Sequence, residues 1–264
     1  MPTLGDISAS LDQFAPASLA AEWDNVGLLV GDPSWPVDRL MTCLTVTPTT
    51  VREALEQRAN LIVSHHPLPF RAIQAITSET TAGKMLLNLI AAQIGVYSPH
   101  TAFDSAPAGI NQHLAIGLGL QQIEPLIPAA DSEEMDVGSG RIGLLGEEVP
   151  LKEMANRVKT FLGIERLNVV GDDSLAISSV SIACGSGGSF LPAAIAKNSD
   201  CLVTGETNLH ICLEAEARGM GLILPGHFAS ERFALLSLAE YLSEQFSGIE
   251  TWASKTERDP LRTI

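Results

Sequence analysis

Thr42–His66 reads TCLTVTPTTVREALEQRANLIVSHH, and Ile182–Glu206 reads IACGSGGSFLPAAIAKNSDCLVTGE. Laid over each other at a constant offset of 140 residues, Thr42 on Ile182, they need no gap. Each runs as strand, turn, helix, short polar step and strand. In the first copy Pro48 marks the helix start. Its second strand, NLIVSHH, is a continuous apolar run of the kind buried on both faces of a parallel sheet. Each copy closes on a polar pair, His65-His66 in one and Gly205-Glu206 in the other.

The next units also correspond. GVYSPHTAFD, starting at Gly95, stands opposite GLILPGHFASE, starting at Gly221. Both hold a glycine, a short strand, a proline and a histidine. In both a carboxylate lies four residues after that histidine, Asp104 after His100 and Glu231 after His227. Residue identity between the halves is thin, so two independent α/β units of similar pattern are the alternative. The shared chemistry at the strand ends favours duplication.

Around this repeat, LGDISASLDQFAPASLA reads as a helix capped near Thr3, and TAGKMLLNLIAAQ and GINQHLAIGLGL as two more. Gly27, Gly31 and Asp32-Pro33 are turn signals. GRIGLLG, LKEMANRVKTFLG and RLNVVGD read as strand, helix and strand. Strands alternating with helices imply an α/β fold with largely parallel pairing. The division expected is a first α/β half over 1–120, a connector over 121–139 and a second half over 140–264. The connector, QQIEPLIPAADSEEMDVGS, is polar, acidic and too short to hold an inserted domain.

The 264 residues are 45% hydrophobic and carry a formal net charge of −15. Mean hydropathy is +0.20. That supports a substantial core and permits a buried subunit interface. The acidic balance repels nucleic acid and anionic membranes on average. No secretory leader pattern opens the chain, and no apolar run approaches the ~20 residues a spanning helix needs. A cytoplasmic, non-membrane protein is expected. Cys43, Cys184 and Cys201 lie in apolar runs and read as small buried hydrophobes; Cys212 fits that or a surface position.

Two of only six histidines are adjacent in NLIVSHHPLPF. Neighbours within a strand point to opposite faces. At a strand end, where Pro67 stops the ladder, the rings can diverge into one cavity. A turn with two surface imidazoles is the competing reading. Ligands bind parallel α/β sheets outside the carboxyl ends of strands. His65, His66, His100, Asp104, Glu206, His227 and Glu231 all follow strands. Imidazole with carboxylate suits zinc, iron or manganese, and the count exceeds what one ion needs. Two ions bridged by a carboxylate fit it. A lone His-x3-Glu is usually a solvated helix face. His113 sits inside a helix and reads as a core or interface histidine. His210 caps or lines a pocket, and Asp24 fixes a turn beside Trp23. Cys184-Gly188 suits an anion-binding nest or, equally, a tight strand–helix turn.

WDNVGLLVGDP, LIVSHHPLPF, HTAFDSAPAGIN, ACGSGGSF, DCLVTGE and GHFASE occur here in that order. The set resembles the Nif-three-like, or YbgI-like, family, whose bacterial members are often labelled GTP cyclohydrolase I type 2 homologues. The resemblance runs from about residue 4 to 245. It implies two intertwined, duplicated α/β halves with mixed, largely parallel sheets, the terminal segments packing together around a dinuclear metal site. It implies a homohexamer, a trimer of dimers. The ligands it implies are His65, His66, Asp104, His227 and Glu231, with Glu231 bridging and His100 as neighbour. One departure is Thr45, where the family's first strand usually ends in aspartate.

The function expected is a hydrolase using a metal-bound hydroxide, two divalent ions per chain and a small-molecule substrate such as GTP. Glu206 or His210 would transfer the proton. The alternative is a ring-shaped metal-binding scaffold or interaction protein, regulatory or DNA-associated, without turnover.

Overall fold

The computed structural model describes residues 1–129 and 136–262. Two compact units are present, one of Met1–Phe103 with Ala234–Ile264, the other of Asp104–Phe233. These bounds differ from a division at 120 and 140. The chain leaves the first unit and returns to it, so the last segment belongs with the first half.

In the first unit the elements are α1 (Leu4–Phe14), β1 (Gly27–Val30), β2 (Arg39–Thr45), α2 (Pro48–Glu56), β3 (Leu61–His66), α3 (Thr81–Ala91) and β4 (Gly95–Ser98). Then α4 (His100–Ser105) leads out of the unit. The sheet order is β1-β4-β3-β2-β13, where β13 is Glu250–Ala253. β4, β3, β2 and β13 are parallel, and only β1 is antiparallel. Thr3 caps α1 in a capping box with Asp6, and Thr47 caps α2 with Pro48 in its first turn. Met41, Cys43, Ile62 and Val96 from the strands pack with Val51, Ala54, Leu86 and Leu89 from α2 and α3. Each fully buried Val, Leu, Ile or Met among them stabilises the fold by roughly 1.5–3 kcal/mol.

The second unit holds α5 (Ile110–Gly117), β5 (Gln121–Glu124), β6 (Ile127–Pro128), β7 (Gly138–Ser139), β8 (Arg141–Pro150), α6 (Leu151–Leu162), β9 (Asn168–Val170) and β10 (Ala176–Ala183). It continues with α7 (Leu191–Ala196), β11 (Cys201–Thr204), α8 (Leu209–Ala217) and β12 (Gly221–Leu224). α9 (His227–Gln245) leads back to the first unit. The sheet order is β5-β8-β10-β11-β12-β9. β10, β11 and β12 are parallel, flanked by antiparallel β8 and β9. Val180, Ile182, Val203 and Ile223 pack with Leu114, Met154 and Val158 on one side. Leu202 and Leu222 pack with Leu191, Ala194 and Ala215 on the other. Cover on both faces explains the unbroken apolar runs.

The duplication is visible in topology. β2, β3 and β4 run parallel and adjacent in one sheet, and β10, β11 and β12 do so in the other. After the third strand of each trio the next helix begins at a histidine, His100 for α4 and His227 for α9.

The stretch read as a connector is partly sheet. Gln121–Glu124 forms β5, an edge strand antiparallel to β8. An exposed edge strand needs only one packed side chain, here Ile123, so its sequence looks like a loop. Residues 130–135 of that stretch lie outside the described residues.

Arg141, 1% exposed, anchors the start of β8. Its guanidinium donates to the carbonyls of Gly138, Gly140, Ser105 and Ala106 and to Gln112 Oε1. No described helix is long and apolar enough to cross a membrane.

Candidate metal centre

β3 ends at His66, and Pro67 follows, so the last two side chains are freed from strict alternation. His65 is fully buried and His66 half-buried, with ring centroids 5.1 Å apart and planes at 52°. Carbonyls at this strand end are held by hydroxyls, Ser98 Oγ donating to His65 O at 2.5 Å and Ser64 Oγ to His66 O at 2.9 Å. His100, at the head of α4, brings a third ring 5.1 Å from His65 and 5.6 Å from His66. One nitrogen from each of the three rings lies within 4.8 Å of the other two. Phe103 stands 6.4 Å from His65, and Trp23 and Phe70 about 6 Å from His100, so the cluster has apolar walls.

The far sides of two rings are already engaged. Thr45 faces His66 across the β2–β3 ladder, and its hydroxyl lies 2.7 Å from His66 Nδ1. Asp24 Oδ1 lies 2.7 Å from His100 Nδ1, while Asp24 Oδ2 accepts from Thr101 N and Oγ1. Burial pushes the Asp24 carboxyl up, but the bonds from Thr101 and His100 outweigh it and hold it below the usual range. With Nδ1 so occupied, it is Nε2 of each ring that would meet a metal. His100 also takes a φ of 26°, a backbone region that a non-glycine residue holds only when its surroundings impose it.

The second unit carries its own donor group. His227 Nε2 lies 3.1 Å from Glu231 Oε2, one turn along α9. His227 Nδ1 lies 3.0 Å from Glu206 Oε1, which also accepts from Ser186 Oγ at 2.9 Å. The bond to Glu231, joined by the charges of both carboxylates, pushes the His227 pKa up to about 9 against the effect of burial. His227 in turn holds the Glu206 carboxyl below its usual range. Burial, with the charges of Glu231 and Asp104, pushes the Cys184 thiol well up.

Gly185 explains the glycine-rich turn. Its φ is +65°, and a Cβ there would stand 2.1 Å from Glu231 Oε1. The amides of Gly185 and Gly187 donate to Ser230 Oγ and Thr204 Oγ1. These two amides are spent inside the fold, and the turn makes room for the Glu231 carboxylate. Glu206 lines a cavity of about 510 Å³ with Ser186, Ser189, Thr207 and Asn208.

The sequence-predicted residues thus fall into two sets, His65, His66 and His100 in one unit, Asp104, Glu206, His227 and Glu231 in the other. His210 is exposed on α8 and belongs to no metal-capable group among the described residues. His113 is half-buried within α5, where burial lowers its pKa. Asp24 and Thr45 were not read as partners of the histidines. Both act through tertiary contacts that spacing does not reveal. Thr45 supplies a hydrogen-bonding group at the end of β2. The imidazole nitrogens and the carboxylates, of which Glu231 is buried, fit a divalent metal.

A GTP cyclohydrolase 1 type 2 homolog from Clostridium perfringens is 34% identical over 262 residues, covering 99% of both chains. The crystal structure of Staphylococcus aureus protein SA1388 matches with a TM-score of 0.90 at 27% identity over 99% of both chains. A Bacillus cereus protein related to NIF3 shares the fold, with a TM-score of 0.93 at 24% identity over 100% of this chain and 99% of that one. The family model for Duf34/NIF3 (NGG1p interacting factor 3) matches residues 2–260, and the chain belongs to that family.

Proposed function

We propose that the chain is a hydrolase dependent on two divalent ions, with His65, His66, Asp104, His227 and Glu231 as ligands and His100 beside them. The observation that carries this reading is the convergence of three imidazoles, with Nδ1 of His66 and His100 already held by Thr45 and Asp24. Partners of that kind orient a ligating histidine and raise its basicity. When bound, divalent ions acidify water and polarise an electrophile.

The remaining work falls to the chain. Glu206 orients His227 through Nδ1, as Asp24 orients His100. A carboxylate already bonded to His227 and Ser186 is better placed to hold a ligand than to take a proton, so we assign Glu206 orientation ahead of general-base work. The cavity it lines offers hydroxyl and amide groups and suits a polar small molecule. GTP is our first candidate because the Clostridium perfringens relative carries that name. A homohexamer, a trimer of dimers, is our proposal for assembly.

The test is elemental analysis of the purified protein, followed by a screen of GTP and other small hydrolysable substrates with and without the metal found. Turnover that requires the metal supports the reading. Bound metal with no turnover across the screen favours a metal-binding scaffold.

A further inference from the structure

We infer that Glu257, in the C-terminal segment, is a positioning residue of the metal centre and acts on His66 through Thr45. The inference rests on reading His66 as a ligand and names a part of the site that its motif does not contain.

β13 ends at Ala253, opposite Thr42. Ser254 N still donates to Thr42 O at 2.7 Å, but β2 runs on to Thr45, paired with β3 on one edge and past the end of β13 on the other. The Glu257 carboxylate takes the place of the missing strand. Its Oε2 accepts from Leu44 N at 2.9 Å and its Oε1 from Thr45 N at 2.7 Å. Leu44 is only 2% exposed, so its amide needs a protein acceptor. Amide bonds to an ionised carboxylate are stronger than neutral ones.

Glu257 is itself fixed. Its amide donates to Ser254 Oγ at 3.3 Å, and Ser254 Oγ donates to Glu53 Oε2 at 2.6 Å. Glu53 also accepts from Lys255 N, Thr256 N and Thr256 Oγ1. The segment is therefore clamped onto α2, and its carboxylate meets the end of β2 in a set position. Threonine is β-branched and stiff at χ1. Fixing the Thr45 backbone thus fixes the hydroxyl that lies 2.7 Å from His66 Nδ1. A carboxylate far along the chain thus holds, through Thr45, the ring of the candidate ligand.

The experiment measures zinc affinity by competition with a chromophoric chelator, and the cobalt(II) absorption spectrum, in the full chain. The variants are Glu257→Ala, Glu257→Gln, Thr45→Val, Thr45→Ser and the double variant of Glu257→Ala with Thr45→Val. Far-UV circular dichroism checks folding. Glu257→Ala and Thr45→Val should each weaken zinc binding about tenfold, the range seen on removing outer partners of ligands. Both should shift the cobalt spectrum, and Thr45→Ser should restore it. The double variant should be no weaker than Thr45→Val, because both changes break one path. If Glu257→Ala does not fold, Glu257→Gln, which keeps one acceptor, should show a smaller loss in the same direction. Wild-type affinity and spectrum in the folded Glu257 variant, or losses that add in the double variant, overturn the inference while leaving the metal reading intact. A wild-type chain that takes up neither zinc nor cobalt overturns the metal reading itself.

Discussion

Glu206 Oε1 lies 3.0 Å from Nδ1 of His227. The pair turns Nδ1 to Glu206 and Nε2 toward Glu231, and an outer partner of this kind sets which nitrogen a ligating histidine presents. Glu206→Ala should therefore lower zinc affinity about tenfold with the fold intact. Glu206→Gln, which retains an acceptor, should lose less. Competition titration with a chelator measures both, and unchanged affinity in Glu206→Ala would remove the orienting role.

Gly185→Ala should damage the site from the backbone side. The added Cβ meets Glu231 Oε1 at 2.1 Å, and the φ of +65° is one that alanine holds at a cost of about 1–3 kcal/mol. A lower Tm together with reduced metal content is expected. Wild-type metal content in the folded variant would show that Glu231 does not hold metal in the position seen.

Glu53 predicts how stability varies with pH. Burial raises its carboxyl pKa, but bonds from Lys255, Ser254 and Thr256 outweigh that and leave it below the usual range. A carboxyl depressed on folding contributes stability above its unfolded pKa, about 4.3, and loses it as pH falls through the folded value. Glu53→Gln should lower Tm near neutral pH and flatten the acid limb of the Tm profile. Identical acid limbs in the two proteins would refute this.

Arg141→Met should be among the most destabilising single changes. It removes the guanidinium donor from the buried carbonyls of Gly138 and Ser105, while Gly140 O and Ala106 O keep the amides of Leu126 and Gly109. At about 1–3 kcal/mol for each unsatisfied group, relaxation and water entry included, a loss of ~3 kcal/mol or more is expected in urea unfolding. A change under about 1 kcal/mol would contradict the role given to Arg141.

The central strands were legible because parallel strands covered on both faces become unbroken apolar runs, as in Leu61–His66 and Cys201–Thr204. The histidine and carboxylate pairs were legible because both follow strands at matching spacing. β13 was not, because Glu250–Ala253 owes its strand to a partner, β2, far back in the chain. β5 was hidden by its exposed polar residues. Cross-strand register placed Thr45 against His66, and tertiary folding placed Asp24 against His100, neither of which spacing encodes.

The central claim is that this chain holds divalent metal through its strand-end histidines. Its most direct test is metal stoichiometry, counted by elemental analysis after stripping and reloading, in wild type, His66→Ala, Glu231→Ala and His113→Ala. The account predicts up to two ions per chain in wild type and His113→Ala, with marked loss in His66→Ala and the largest loss in Glu231→Ala, the proposed bridge. Equal metal content in all four proteins, or none in wild type, would contradict it.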